Sequence, residues 1–213
     1  MKVVEIFKSI DGEGIRAGLP VTFIRLGGCN LHCSYCDTKY AWNGNYQFTE
    51  MTPEKIVNKV YKMGCLRITI TGGEPLIHKD IDTLINILLD YGFEVNIETN
   101  GSVDIRPYVV TGKVFVTMDY KCPSSNMDEF MNIKNLSLLR KQDVLKFVVG
   151  SKKDLDCCRD LVKYTLAQVF ISPVFGKIEP KEIVEYMLEH DMMDCRVQLQ
   201  LHKFIWNPQE RGV

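Results

Sequence analysis

Several short stretches of the chain alternate apolar and polar residues with a period of two, which is typical of β-strands whose two faces meet different surroundings. The pattern predicts eight strands, over Val3–Phe7, Val21–Leu26, Leu66–Thr71, Glu94–Asn100, Val114–Tyr120, Val144–Val149, Val169–Pro173 and Cys195–Leu201. Helical periodicity between most of them predicts a helix that begins at Thr52-Pro53-Glu54, with a threonine cap and a first-turn proline, and helices over Asp80–Tyr91, Ser125–Arg140, Lys153–Thr165 and Glu179–His190. This alternation indicates a parallel sheet with helices outside it.

The length of the chain limits how many strand–helix units it can hold. A complete barrel of eight units typically needs about 250 residues. The chain has 213 residues, and residues 27–51 have the character of a long loop. We therefore predict an α/β fold, a partial (βα)6-type open barrel that is TIM-like, in a single domain over residues 1–213 with a short C-terminal extension at 209–213.

The polar residues of the predicted strands fall on one face of the sheet. In the second strand, for example, Ile24 and Leu26 share a face and Arg25 lies opposite. Residues on the polar faces are Arg25, Arg67, Thr69, Thr71, Asn96, Glu98, Asn100, Thr117, Asp119, Lys121, Gln198, Gln200 and His202. Helices must cover the apolar faces, so the polar faces would point together, where unpaired polar groups are costly unless they hold a polar ligand. The alternative is a sheet with one face open to solvent.

The composition is ordinary for a globular protein, with 46% hydrophobic and 25% charged residues and a net charge of −1. No basic excess indicates a nucleic-acid partner. The N-terminus lacks the apolar run of a signal peptide, and no stretch approaches the roughly 20 apolar residues of a membrane helix. We expect a cytoplasmic protein with no membrane partner, whose eight cysteines do not form a disulfide scaffold, so that metal binding or catalysis is favoured for those that lie close together. The five scattered ones are expected to be small buried hydrophobic residues: Cys65, Cys122, Cys157, Cys158 and Cys195.

Three of the cysteines lie close together in the segment Cys29-Asn30-Leu31-His32-Cys33-Ser34-Tyr35-Cys36, directly after a predicted strand. Thiolates are soft ligands that suit iron–sulfur clusters or zinc. Three thiolates on a four-iron cluster would leave one iron open, and an open metal position is what a catalytic site needs. The alternative is a zinc site with His32 or a distant cysteine as the fourth ligand.

The Cys-x3-Cys-x2-Cys spacing resembles the signature of the radical S-adenosylmethionine (SAM) superfamily. Two further strand ends match it, Thr71-Gly72-Gly73-Glu74-Pro75 and Glu98-Thr99-Asn100-Gly101. The resemblance implies a [4Fe-4S] cluster on Cys29, Cys33 and Cys36, with SAM chelating the open iron. The reactive group would be a 5′-deoxyadenosyl radical, so no side chain is assigned as catalytic.

Three more segments resemble the 7-carboxy-7-deazaguanine synthase family within that superfamily. They are Glu5–Gly14, Cys36-Asp37-Thr38 and Leu201–Pro208. The resemblance implies a lyase that contracts 6-carboxy-5,6,7,8-tetrahydropterin to 7-carboxy-7-deazaguanine with release of ammonia, in the biosynthesis of queuosine and other deazapurines. It also implies Mg²⁺ as a cofactor, a homodimer, and a flavodoxin- or ferredoxin-type electron donor.

The same resemblance assigns binding roles to individual positions. The pterin would contact Ile10, Asp11, Gly12, Glu13, Arg25, Thr71 and Pro208, with Arg25 on its carboxylate. SAM would contact Tyr35, Cys36, Asp37, Gly73, Glu74, Asp119, Tyr120, Lys121, Ser172, Pro173, Val174 and Phe175. Thr38 would offer its hydroxyl to Mg²⁺, which commonly takes few protein ligands.

Simpler roles remain open for some of these residues. Arg25 can form an internal salt bridge, and Asp119 can pair with Lys121. Members of the family often carry glutamine at the position of Asp11, and many end at the proline that matches Pro208. The rival functions are a glycyl-radical-enzyme activase, a non-catalytic iron–sulfur electron-transfer protein and a zinc-binding structural module.

Overall fold

A computed structural model describes all of residues 1–213 and contains nine strands. The strands are β1 Lys2–Ile10, β2 Pro20–Leu26, β3 Thr49–Glu50, β4 Arg67–Gly72, β5 Glu94–Thr99, β6 Phe115–Tyr120, β7 Val144–Val149, β8 Gln168–Pro173 and β9 Cys195–Val197. The helices are α1 Pro53–Tyr61, α2 Ile81–Asp90, α3 Arg106–Val109, α4 Lys134–Leu138, α5 Lys152–Leu161, α6 Pro180–Glu189 and α7 His202–Ile205. No helix combines the length and the apolar character that crossing a membrane requires.

The strands form one unclosed sheet in the order β3-β1-β2-β4-β5-β6-β7-β8-β9. Neighbouring strands from β2 to β9 are parallel, and six of them are followed by a helix before the next parallel strand. The prediction of an open, six-unit α/β barrel is therefore confirmed. β1 is antiparallel to both of its neighbours, β2 and β3. A short connection can join antiparallel strands, whereas a parallel pair needs a longer crossover.

The apolar faces of the strands are buried beneath the helices. Ile24, Ile70 and Ile97 are fully buried in the same core as Phe147. α1 begins where predicted: Thr52 accepts a hydrogen bond from the Lys55 N–H, and a proline stands in the first turn. Because this face is closed by helices, the opposite, polar face of the parallel strands is left to form the site.

Several predicted elements differ from the structure in extent, among them one helix and the last strand. The helix predicted over Ser125–Arg140 is reduced to α4 and two single 3-10 turns, because Asn126 takes a left-handed conformation (φ 60°) that interrupts a helix. The last strand ends at Val197 rather than Leu201. There, Gln198 bonds the backbone of Gly14, accepting from its N–H at 2.6 Å and donating to its carbonyl at 3.0 Å.

Candidate functional site

Polar side chains of neighbouring parallel strands meet on the face away from the helices, as the alternation predicts. The Thr71 hydroxyl donates to Glu98 at 2.7 Å, and the Thr117 hydroxyl donates to Asn96 at 3.1 Å. Arg67 is an exception, because it lies at the beginning of β4 and forms a partly exposed pair with Glu94. The polar faces thus line an interior, which we call the lumen.

Lys146 holds the centre of the lumen, and the sequence prediction missed it. Its Nζ lies 2.9 Å from Glu13 Oε2 and 3.3 Å from Asp119 Oδ2, while Lys121 Nζ lies 3.0 Å from the same Asp119 oxygen. Burial lowers the pKa of Lys146, but Asp119, Glu13 and Glu98 outweigh burial and hold that pKa well above its ordinary value. A single lysine within an otherwise apolar strand, Val144–Val149, was the signal that could have revealed it.

Three residues predicted to bind ligands bury a polar atom that has no partner. These atoms are Glu13 Oε1, Asp119 Oδ1 and Ser172 Oγ. Leaving a buried polar atom unpaired costs roughly 1–3 kcal/mol, and native structures contain few of them. The lumen is therefore suited to a polar ligand that would supply the missing hydrogen bonds.

Arg25 lies beside the lumen and is already paired. Its Nε donates to Glu5 Oε1 at 2.6 Å, and the Tyr40 hydroxyl donates to the same oxygen at 2.9 Å. The guanidinium also lies over the ring of Phe7. The alternative of an internal salt bridge for Arg25 is thus confirmed, with Glu5 as a partner that the sequence did not reveal. A substrate carboxylate would have to share Arg25 with Glu5 or displace Glu5.

The carboxylate of Asp11 already has hydrogen-bond partners within the protein. Its carboxylate accepts from Arg16 Nε at 2.8 Å and from the Thr69 hydroxyl at 3.0 Å, and the side chain is buried. Burial raises the pKa of Asp11, against the opposing effect of Arg16. The Arg16 guanidinium also donates to the Ile68 carbonyl, so this pair ties the β1–β2 connection to β4. Contact between Asp11 and a substrate stays a prediction.

The three motif cysteines lie in the loop after β2 as free thiols. The Leu31 N–H points at Cys29 Sγ at 3.4 Å, and the Trp42 indole N–H points at Cys36 Sγ at 3.2 Å. No three His, Cys, Asp or Glu side chains converge on a single metal ion. In an iron–sulfur cube each thiolate binds its own iron, and N–H donors directed at the sulfurs favour ligated thiolates. The residues present therefore fit the cluster.

The Gly72-Gly73-Glu74 turn clamps this loop to the end of β4. The Gly73 N–H donates to the Leu26 carbonyl at 3.0 Å, and the Glu74 N–H donates to the Gly28 carbonyl at 2.9 Å. A Cβ at Gly73 would collide with the Gly28 carbonyl, so only glycine permits this approach.

The Glu74 carboxylate is fully buried and holds the beginning of the next loop. It accepts from the Leu76 N–H, the Thr99 hydroxyl and the Asn100 N–H at 2.6–2.9 Å. Burial raises the pKa of Glu74 to about 7, although these bonds act in the opposite direction. Its side chain thus organises the strand ends, and its contact with SAM stays a prediction.

The remaining residues assigned to SAM lie at the ends of β6 and β8 and in the cysteine loop. The Tyr35 hydroxyl donates to the Val148 carbonyl at 3.1 Å. Tyr120 packs into the helix-covered core, so only its backbone can face a ligand. Pro173 ends β8, Val174 is buried, and Phe175 is exposed.

The C-terminal segment borders the other side of the lumen. The Leu201 N–H donates to the Gly12 carbonyl at 3.1 Å, and Gln200 Nε2 donates to Glu13 Oε2 at 3.3 Å. Lys203, another residue that the prediction missed, pairs with Asp37 at 2.9 Å. Ile10 ends β1, Pro208 is half-buried, and the Thr38 hydroxyl donates to Asp37 Oδ1 at 2.8 Å.

Comparisons with known proteins agree with this geometry. The family model described as the radical SAM superfamily matches residues 23–189. A relative named 7-carboxy-7-deazaguanine synthase, from Clostridium acetobutylicum, is 45% identical over 100% of this chain and 99% of its own. A second of that name, from Methanospirillum hungatei, is 42% identical over 98% of this chain and 86% of its own.

Among solved structures, the crystal structure of QueE from Escherichia coli superimposes with a TM-score of 0.76 at 23% identity, covering 93% of each chain. At that identity the likeness supports the fold alone. The family match over most of the chain and the full-length identity to curated relatives together show kinship: the protein is a radical SAM enzyme that belongs to the 7-carboxy-7-deazaguanine synthase family.

Proposed function

We propose that the protein converts 6-carboxy-5,6,7,8-tetrahydropterin to 7-carboxy-7-deazaguanine with release of ammonia, as a step of queuosine or other deazapurine biosynthesis. The observation that carries this proposal is 45% identity along the whole chain to a relative of that name. The lumen supports it, because Glu13, Asp119 and Ser172 each bury an unpaired polar atom there. A planar, polar heterocycle with a carboxylate offers the complementary groups.

In this proposal Cys29, Cys33 and Cys36 hold the [4Fe-4S] cluster, and the ends of β4, β6 and β8 hold SAM. When bound, these two groups supply the radical that starts the reaction. Glu13 accepts hydrogen bonds from the N–H groups of the pterin, and Lys146, 2.9 Å away, orients the Glu13 carboxylate. Arg25 binds the substrate carboxylate through two parallel hydrogen bonds, which replace its contact with Glu5.

We further propose that Thr38 directs its hydroxyl to Mg²⁺, since that ion keeps several waters and relies on substrate oxygens. A flavodoxin- or ferredoxin-type protein would supply the electron, and the working form would be a homodimer. Light scattering on the purified protein tests the last point, because a monomeric mass at assay concentrations would contradict it.

The decisive experiment is anaerobic reconstitution of the cluster, followed by incubation with SAM, a reductant, Mg²⁺ and the carboxylated tetrahydropterin. We expect mass spectrometry to detect carboxydeazaguanine. The variant Glu13→Gln should lose most of this activity, whereas Glu185→Gln, on the exposed face of α6, should keep it. Cleavage of SAM without carboxydeazaguanine would overturn the substrate assignment and leave the superfamily membership standing.

A further inference from the structure

Trp42, an aromatic residue in the cysteine loop, contacts a motif thiol and takes no part in the proposed function. Trp42 is half-buried, and its indole Nε1 lies 3.2 Å from Cys36 Sγ. Tryptophan has a single hydrogen-bond donor and no acceptor, so this contact uses the only polar atom of the side chain.

The face of the Trp42 ring packs against a second aromatic ring. The exposed His32 ring stacks on the indole with centroids 4.5 Å apart and an interplanar angle of 19°. The His32 backbone N–H is in turn directed at Met127 Sδ at 3.4 Å. Stacking on His32 thus restricts rotation of the indole ring while its N–H is directed at the sulfur.

We propose that Trp42 is a positioning residue for the iron–sulfur cluster, in which its N–H donates to the Cys36 thiolate, raises the reduction potential of the cluster and slows the loss of iron. A donor directed at a ligating sulfur stabilises the more negative state of a cluster, because electron density on sulfur increases on reduction. Partners of metal ligands typically change metal affinity by about 10–100-fold when they are removed.

The chain offers a matched pair of variants, because it contains two tryptophans, Trp42 and Trp206. Trp42→Phe keeps an aromatic ring for His32 to stack on and removes only the N–H donor. Trp206→Phe makes the same change after α7 and serves as the control. Trp42→His has a ring N–H donor, which Trp42→Phe lacks, so it tests whether a donor at this position restores the properties of the cluster.

The measurements use the reconstituted protein without SAM or pterin, so they are independent of the proposed substrate. EPR-monitored redox titration should show the ratio of reduced to oxidised cluster falling about tenfold at a fixed potential in Trp42→Phe, a shift of about 59 mV for one electron. Iron release to a chelator should be about tenfold faster. Trp206→Phe should match the parent protein, and Trp42→His should recover part of both effects.

An unchanged potential together with unchanged iron release in Trp42→Phe would overturn the proposal, and so would equal effects in Trp206→Phe. If Trp42→Phe does not take up iron at all, Trp42→His decides the matter. Restored uptake supports the hydrogen bond, whereas continued failure shows that indole packing, and not the donor, is what the loop requires.

Discussion

Individual charged residues in the lumen depend on partners that are distant in sequence. Lys146 and Glu13 are 133 positions apart, yet the side chain of each is about one-tenth exposed and their charged atoms lie 2.9 Å apart. Removing one partner of a buried pair leaves an uncompensated charge in a poorly solvated place. These residues therefore contribute to the stability of the enzyme even when no ligand is bound.

We predict that Lys146→Met lowers the free energy of unfolding by about 3 kcal/mol, because it leaves Glu13 and Asp119 without their shared cation. Urea denaturation of the cluster-free protein measures this. The control is Lys181→Met, which removes a lysine that is 82% exposed and pairs with Glu185 on α6. That change should shift stability by less than about 0.5 kcal/mol. Equal effects of the two changes would contradict the buried network.

At the scale of elements, turns and short helices set the distance between the cysteine loop and the strand ends. The Gly73 backbone approaches Gly28 so closely that no side chain fits between them, and Cys29 Cβ lies 2.9 Å from the position of a Cβ on Gly73. Packing of this turn against the loop thus fixes the position of Cys29, the first of the three proposed cluster ligands.

Gly73→Ala should displace the loop and reduce the iron bound after reconstitution to a small fraction of the parent value. Iron analysis and the visible absorbance of the cluster measure this. Gly44→Ala is the matched control in the same loop, because a Cβ there meets no atom within 4 Å. Full iron content in Gly73→Ala would show that the loop can yield without losing the cluster.

The short helix α4 places the side chain of Asn135 against the loop that follows β5. Asn135 is fully buried, and its Nδ2 donates to the Gly101 carbonyl at 3.0 Å and to the Val103 carbonyl at 2.7 Å. Its Oδ1 accepts from the Ile105 N–H at 3.3 Å. The side chain thereby replaces regular backbone pairing in the loop after β5.

Asn135→Leu should destabilise the protein by about 2 kcal/mol or more, because it leaves the Ile105 N–H and the Val103 carbonyl unpaired at roughly 1–3 kcal/mol each. The Gly101 carbonyl keeps its bond from the Asn132 N–H. Thermal and urea unfolding measure the loss. Asn86→Leu, at an exposed position of α2, should change stability by less than about 0.5 kcal/mol. A mild effect at Asn135 would mean that water substitutes for its amide.

At the scale of the whole molecule, the sheet stays open and its polar face is lined by strands from both halves of the chain. A ligand that spans this face would bind the folded state alone. Binding of that kind stabilises a protein by about 2.7 kcal/mol at a ligand concentration 100-fold above its dissociation constant.

We therefore expect SAM at that excess to raise the melting temperature of the reconstituted protein by about 5–10 °C, since about 1 kcal/mol corresponds to 2–4 °C for a chain of this size. Anaerobic calorimetry measures the shift. The cluster-free protein is the control and should gain much less, because the open iron is missing. Equal protection of both forms would show that SAM does not bind through the cluster.

The order of elements and the nature of the cofactor could be predicted because their signals are local. A period of two in Glu94–Thr99 and the spacing of Cys29, Cys33 and Cys36 need no knowledge of distant residues. The helix predicted over Ser125–Arg140 failed for the opposite reason. There Asn126 takes a left-handed conformation that interrupts a helix. The residues on either side of it, Ser125 and Met127, accept hydrogen bonds from the distant cysteine loop.

The sequence by itself thus determined the strand–helix order, the polar inner face and the cysteine triplet, because periodicity and spacing act over a few residues. Only the tertiary structure decided that Lys146 forms ion pairs with both Glu13 and Asp119. It likewise decided that Arg25 pairs with Glu5 and that the Trp42 N–H is directed at Cys36. Such pairings depend on strand register and loop packing. Both are set by many contacts between residues distant in sequence, so no local pattern in the chain reveals which groups come within hydrogen-bond distance.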